Sequence, residues 1–209
     1  MSRFGADPRA FFDSVYRDVP PWDIDAVQPA MAALLAEFPP TGPVLDLGCG
    51  SGDLALHLAR SGLEVLGIDF VEAAIEHGRQ KLRACSPEMA AAVEFRVADA
   101  LRPSLLQRSF GSVVDSGFYH LFPLEQCDRL VDEIASILVP GGRLYLHEFA
   151  VEFPVPNTPR AVSEDEVRAR FSPERGWRVL ELRAVQFLNR IAPVPATIAC
   201  IERLGSPVA

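Results

Sequence analysis

The stretch Pro43-Val44-Leu45-Asp46-Leu47-Gly48-Cys49-Gly50-Ser51-Gly52 decides how the chain is read. Val44, Leu45 and Leu47 form a short apolar run, long enough for one buried parallel strand. Three glycines at alternate positions follow, and then Leu54, Ala55, Leu58 and Ala59 fall on one helical face. The stretch therefore predicts strand, glycine turn and helix. Glycine in such a turn lets a ligand lie against bare backbone, and the helix start presents N–H groups to an anionic group. The spacing is G-x-G-x-G, with Asp53 where the dinucleotide fingerprint has its last glycine, and Asp46 stands inside the strand.

The chain has 209 residues, of which 49% are hydrophobic and 23% charged, a balance that suits one domain with a sizeable core. Its formal net charge of −8, without a basic stripe, argues against nucleic acid as a partner. Lys81 is the only lysine and reads as compositional bias, since arginine supplies the other cations. Cys49, Cys85, Cys127 and Cys200 form no C-x-x-C pair, there is no signal-like segment, and no apolar run is long enough to span a membrane. These features point to free thiols in a reducing cytoplasm. Cys49 reads as a small space-filler.

Strand and helix alternate along the chain. Helices are expected over residues 8–18, 29–38, 53–61, 71–83 and 124–138, and strands over 43–47, 64–69, 93–98, 112–116 and 143–149. The last of these strands follows the turn Pro140-Gly141-Gly142. Beyond Phe149 come a proline-rich loop, a capping box at Ser163–Glu166 and two long strands, 177–188 and 196–204, joined as a hairpin. The pattern predicts a mostly parallel sheet with helices on both faces and a ligand at the C-terminal strand ends. Asp69, Asp99 and Asp115 stand at three of those ends with no basic residue among them. Asp69 is placed to accept two ribose hydroxyls and Asp99 to accept from an adenine amino group. Such an acidic rim suits a nucleoside bearing a sulfonium and an amino-acid tail better than a pyrophosphate. Aromatics gather after the fourth and fifth strands, at Phe118, Tyr119, Phe122, Phe149 and Phe153, with Phe187 before the hairpin turn, and favour a flat acceptor.

The sequence resembles class I S-adenosylmethionine-dependent methyltransferases over nearly its full length. The matching motifs are Asp46–Gly52, Gly67-Ile68-Asp69, Ala98-Asp99-Ala100 and Pro140-Gly141-Gly142. The resemblance implies a Rossmann-like α/β fold, a seven-stranded sheet in order 3-2-1-4-5-7-6 with strand 7 antiparallel. One domain is expected over residues 1–209: an N-terminal helical lid (1–40), a cofactor-binding core (41–150), and a substrate loop with a C-terminal hairpin (151–209). Pro20-Pro21-Trp22-Asp23-Ile24, Gln28-Pro29 and Asp115–His120 are similar to small bacterial enzymes that methylate heterocyclic toxins and quinolones, and to thiol and thiopurine methyltransferases. Those relatives usually carry glycine where Asp25 stands here.

The resemblance implies S-adenosyl-L-methionine as cofactor, leaving as S-adenosyl-L-homocysteine. Its expected contacts are Trp22, Asp46, Gly48, Cys49, Gly50, Asp69, Phe70, Asp99, Ala100, Asp115 and Ser116. Phe12, Phe118, Tyr119, Phe122, Phe149 and Phe153 are the expected acceptor walls, and no metal is expected. His120, past the fourth strand, is the first choice of base for the acceptor's proton and Tyr16, on the lid, the second. His147 and Glu148 are placed to reach the pocket, whereas His57 and His77 read as structural. The expected reaction is methylation of a hydroxyl or thiol on a small aromatic or heterocyclic molecule. A thiol-specific detoxifying enzyme and a cofactor-binding protein without catalysis are the alternatives. The size sets a monomer as the expectation and a dimer as the alternative.

Overall fold

A computed structural model describes Phe4 and residues 7–205. The first strand, β1 (Val44–Leu47), is buried at every position, as a strand covered on both faces must be. It pairs in parallel with β2 (Val65–Asp69) on one side and β4 (Phe110–Ser116) on the other. β3 (Val93–Val97) extends the sheet beyond β2, and β5 (Leu138–Phe149) pairs in parallel with β4. β7 (Val194–Arg203) runs antiparallel between β5 and β6 (Trp177–Phe187). The order is β3-β2-β1-β4-β5-β7-β6, as expected.

Side chains alternate along each strand, so every strand feeds two cores. Leu45, Leu47, Leu66, Ile68 and Val113 pack against α6 (Leu124–Ile137) and α7 (Glu164–Arg170). Val44, Val65, Val114 and Tyr145 pack against α2 (Pro29–Glu37), α3 (Asp53–Ala59) and α4 (Glu72–Arg83). Each fully buried aliphatic or aromatic side chain contributes about 1.5–3 kcal/mol, which holds a four-residue strand such as β1 that has almost no local stability. A third cluster joins α1 (Pro8–Val15) to the C-terminal end of β2 through Phe12, Tyr16 and Val71.

The structure departs from the sequence expectation in three places. The turn Pro140-Gly141-Gly142 lies within β5 as an irregularity, with Gly141 at φ +79°, and the partner register shifts between Phe110 and Ser112. A short helix, α5 (Pro87–Ala92), capped by Ser86, precedes β3. α1 ends at Val15, three residues before its expected end. Among the described residues, no helix is long and apolar enough to cross a membrane.

Candidate functional site

The glycine turn after β1 has left-handed backbone at Gly48 (φ +62°), Gly50 (φ +53°) and Gly52 (φ +83°). The amide of Cys49 donates to the Ile68 carbonyl (2.9 Å) and that of Gly50 to Asp69 Oδ2 (3.1 Å), which ties the turn to β2. A Cβ at Gly48 would lie 2.5 Å from the Phe118 ring, and one at Gly50 would lie 2.8 Å from the Tyr16 hydroxyl. The turn is therefore bare because neighbouring side chains need the space, not only because of its backbone angles.

Above it lies a cavity of about 450 Å³. Its floor is Asp46, Gly48, Cys49, Gly50 and Asp69; its roof is Phe12, Tyr16 and Trp22; its far wall is His120, Phe149, Phe153 and Phe187. Among the described residues, no Arg or Lys lines it. Asp46 is 2% exposed, and its Oδ2 has no hydrogen-bond partner among the described residues. Burial, and then the neighbouring Asp115, push its carboxyl well above the usual carboxylate range, so the floor favours an incoming cation. Asp69 also lines the cavity, with Oδ1 accepting from the Val71 amide (2.9 Å).

A second cavity, of about 370 Å³, continues from the first behind Phe12, Phe70 and Phe118. Asp99, Ala100, Leu101 and Phe122 line it. The carboxylate of Asp99 accepts from the Leu101 amide (3.0 Å), and Arg9 stacks over the Phe70 ring at 5.5 Å.

Residues 20–28 cross the mouth and are fastened on two sides. On one side Ser51 Oγ donates to Asp23 Oδ2 (2.6 Å), and Lys81 Nζ donates to Ser51 Oγ (3.2 Å) and Asp53 Oδ1 (2.8 Å). Lys81 also lies 3.4 Å from the Asp25 carboxylate. The sole lysine is thus a fastener of the roof, which corrects its reading as compositional bias; its partners are 28 or more residues away and leave no local signal. Asp25 itself adopts φ +55°, and its amide donates to Asp23 Oδ1 (2.9 Å). The bend is kept where relatives carry glycine, because Asp is among the few residues that tolerate this region. On the other side the Arg190 amide donates to the Pro21 carbonyl (2.8 Å). The Gln28 side chain accepts from the Leu188 amide and donates to the Leu188 carbonyl, both at 2.8 Å.

His120 lines the cavity but is only 3% exposed. Its Nδ1 accepts from the Phe149 amide (3.1 Å) and lies 3.0 Å from Glu148 Oε2, which accepts from the His120 amide (3.1 Å). Burial pushes the imidazole down to about 3, opposed by Asp115 and helped by Arg160. Burial pushes Glu148 up to about 8. Tyr16 is likewise raised well above a phenol's ordinary value by burial and then Asp69.

The structure corrects several sequence expectations. Asp115 faces neither cavity: its Oδ1 accepts from the amides of Phe118 (2.9 Å) and Tyr119 (3.2 Å), so it shapes the loop after β4. Strand parity is the reason, since Asp115 shares a face with Val113, while Ser116, on the opposite face, reaches the cavity. Tyr119 also turns away, its hydroxyl donating to Glu166 Oε1 (2.9 Å) and its ring lying under Arg160. Phe122 lines only the second cavity. Glu148 lies beneath His120, and His147 is covered by Phe187, stacked at 4.6 Å; neither lines the cavity. Trp22, Asp46, Gly48, Cys49, Gly50, Asp69, Phe70 and Ser116 come together around the larger cavity, with Tyr16, His120, Phe12, Phe118, Phe149 and Phe153; Asp99 and Ala100 reach only the second. Gln28, Asn157 and Ile191 also line the larger cavity. Asn157 and Ile191 lie in loops whose composition carries no ligand signal.

Residues 44–142 match the family model described as a methyltransferase domain. The chain is 32% identical over 152 residues to the 2-heptyl-1-hydroxyquinolin-4(1H)-one methyltransferase of Mycobacteroides abscessus, an alignment covering 71% of this chain and 65% of that relative. It is 35% identical over 113 residues to the demethylmenaquinone methyltransferase of Clavibacter sepedonicus, covering 54% of this chain and 43% of that one. The chain thus spans less than two thirds of the length of these curated relatives. Among solved structures, one from work on the conversion of a disulfide bond into a thioacetal group during echinomycin biosynthesis superposes with a TM-score of 0.80 at 29% identity, covering 94% of this chain and 93% of that one. The 1,6-didemethyltoxoflavin-N1-methyltransferase of Burkholderia thailandensis, solved with 1,6-didemethyltoxoflavin and S-adenosylhomocysteine, shares the fold, with a TM-score of 0.73 at 21% identity, covering 95% of this chain and 88% of that one.

Proposed function

We propose that this chain, which belongs to the class I S-adenosylmethionine-dependent methyltransferases, moves a methyl group onto a hydroxyl or thiol of a small aromatic or heterocyclic molecule. The observation that carries the reading is the unpartnered Oδ2 of buried Asp46 on the cavity floor, beside a glycine turn that two side chains keep bare. A buried carboxylate oxygen without a partner is costly unless a ligand supplies one, and the cofactor's ammonium is such a ligand.

S-adenosylmethionine supplies an electrophilic methyl group on a sulfonium sulfur when bound. In this reading Asp46 pairs with its ammonium and the Gly48–Gly50 backbone takes its amino-acid tail. Asp69 accepts from the ribose hydroxyls, and Asp99, Ala100 and Phe122 surround the adenine in the second cavity. Trp22 and Phe12 exclude water from above. Phe118, Phe149, Phe153 and Phe187 hold a flat acceptor and align it, which is the main task in an in-line displacement. Among the described residues no Arg or Lys lines the larger cavity and Arg9 alone lines the second, which favours a sulfonium nucleoside over a pyrophosphate cofactor. The hydroxyquinolone named for the relative in Mycobacteroides abscessus is a flat heterocycle of this class and supports a hydroxyl acceptor over a thiol.

Calorimetric titration with S-adenosylhomocysteine and, separately, NADH tests the cofactor assignment. Micromolar binding of the first alone is expected. Binding of NADH, or of neither, overturns the proposal.

A further inference from the structure

A neutral imidazole has one protonated nitrogen and one lone pair. In His120 the lone pair is already used, because the Phe149 amide points at Nδ1 from 3.1 Å. The ring proton therefore sits on Nε2. The groups facing the ring from every packed element agree with this state. Glu148, one residue before Phe149 on β5, is held as a neutral acid by burial, so it does not demand a proton on Nδ1. Asp115 on β4 is also raised, by burial and then by Glu148, while Arg160 and His147 disfavour a cationic ring. The backbone of Gly117, in the loop after β4, accepts the ring N–H. His120 is thus a neutral ring with its N–H engaged and no lone pair left to accept a proton.

The other polar groups on the lining are engaged too. Tyr16 keeps its phenolic proton, with Asp69, Cys49, Asp23 and Trp22 around it. Asp23 accepts from Ser51 and Asp25, Asp53 from Lys81, and Asp69 from two backbone amides. Asp46 lies at the glycine turn, where the proposed function places the cofactor's ammonium. Among the described residues, no free base faces the acceptor.

We infer that the site takes acceptors that are already ionised: acidic hydroxyls and thiols that lose their proton to water before methyl transfer. The inference rests on the methyltransferase reading and narrows its substrate class. The acceptor anion forms a new bond to the methyl carbon as the old carbon–sulfur bond breaks, and the bonding pair stays on sulfur as a neutral thioether. Positive and negative charge cancel, so no proton has to be taken up in the site. Aliphatic alcohols, which keep their proton in neutral water, are excluded. Carboxylates and phosphates are disfavoured because, among the described residues, no Arg or Lys lines the larger cavity.

Two measurements test it. The first needs no turnover: long-range proton–nitrogen correlation spectra of the nitrogen-labelled protein, with the His120 ring assigned by difference against both His120→Asn and His120→Gln. A proton on Nε2, with no titration through the neutral range, is expected; a proton on Nδ1, or titration near neutrality, overturns the inference. The second is kcat/KM against pH with para-nitrophenol, phenol, thiophenol and benzyl alcohol as probes. A phenol three pK units less acidic has roughly a thousandth of the anion, offset by about 20-fold in intrinsic nucleophilicity if oxygen acceptors follow the thiolate trend. Para-nitrophenol should therefore exceed phenol by roughly 50-fold at neutral pH, each profile should follow its own acceptor's ionisation, and benzyl alcohol should not react. One inflection common to all acceptors, or turnover of none while S-adenosylhomocysteine binds, overturns the inference. Failure to bind S-adenosylhomocysteine at all instead removes the proposed function beneath it.

Discussion

Gly48→Ala is expected to unfold or loosen the site for two separable reasons. The position has φ +62°, where an L side chain costs about 1–2 kcal/mol. Its new Cβ would also stand 2.5, 2.9 and 3.0 Å from three atoms of Phe118. Phe118 is buried and packed edge-on against Phe122 at 4.8 Å, so relieving the clash means repacking both rings, at about 1–3 kcal/mol. The sum is roughly 2–5 kcal/mol. Gly62→Ala is the internal control: φ is +81°, yet nothing lies within 4 Å of the added Cβ, so only the backbone cost of about 1–2 kcal/mol applies. Urea unfolding of both variants, with S-adenosylhomocysteine titration of each folded protein, measures the difference. Gly48→Ala should be the less stable by about 1–3 kcal/mol, and it alone should lose ligand affinity. Equal losses in the two variants would refute the argument that Phe118 dictates this glycine.

Asp46→Asn should weaken S-adenosylhomocysteine binding by about tenfold or more while leaving the melting temperature unchanged or higher, because it removes a buried, unpaired carboxylate; unchanged affinity in the titration would remove Asp46 from the ammonium site. Glu148 has its folded value raised from 4.5 to about 8, so its contribution to stability is fully present below 4.5 and is lost as pH rises through 8. Glu148→Gln should flatten that part of the stability–pH curve in denaturant titrations, and an undiminished slope would count against the neutral acid. Lys81→Met should cost only about 0.5–1 kcal/mol overall, yet speed amide exchange across residues 20–27, which hydrogen-exchange mass spectrometry reads directly; unaltered exchange would show that Lys81 does not fasten the roof.

Alternating strands and helices made a mostly parallel sheet legible, and the final hairpin an antiparallel strand within it; the strand order itself came from the resemblance carried by the motifs, and the structure has it. The placement of Asp46 and the glycines followed from one strand–turn–helix stretch. Asp115 was misplaced although the needed signal was in the sequence: counting alternate residues from Val113 and Val114 puts Ser116, not Asp115, on the cavity side. The donor state of His120 was not legible, since it depends on a backbone amide 29 residues away. Lys81 failed for the same reason, its role existing only once α4 lies against the glycine turn.

The paired stitches between residues 21–28 and residues 188–190 divide labour along the chain. In the proposed function, the middle of the sequence grips the cofactor, while the segments before and after it, which also pack together where α2 meets β6 and β7, cross at the mouth and help decide what enters. A directed-evolution library confined to Val15, Asn157, Phe187 and Ile191 would therefore retune which compound is accepted without disturbing the machinery beneath.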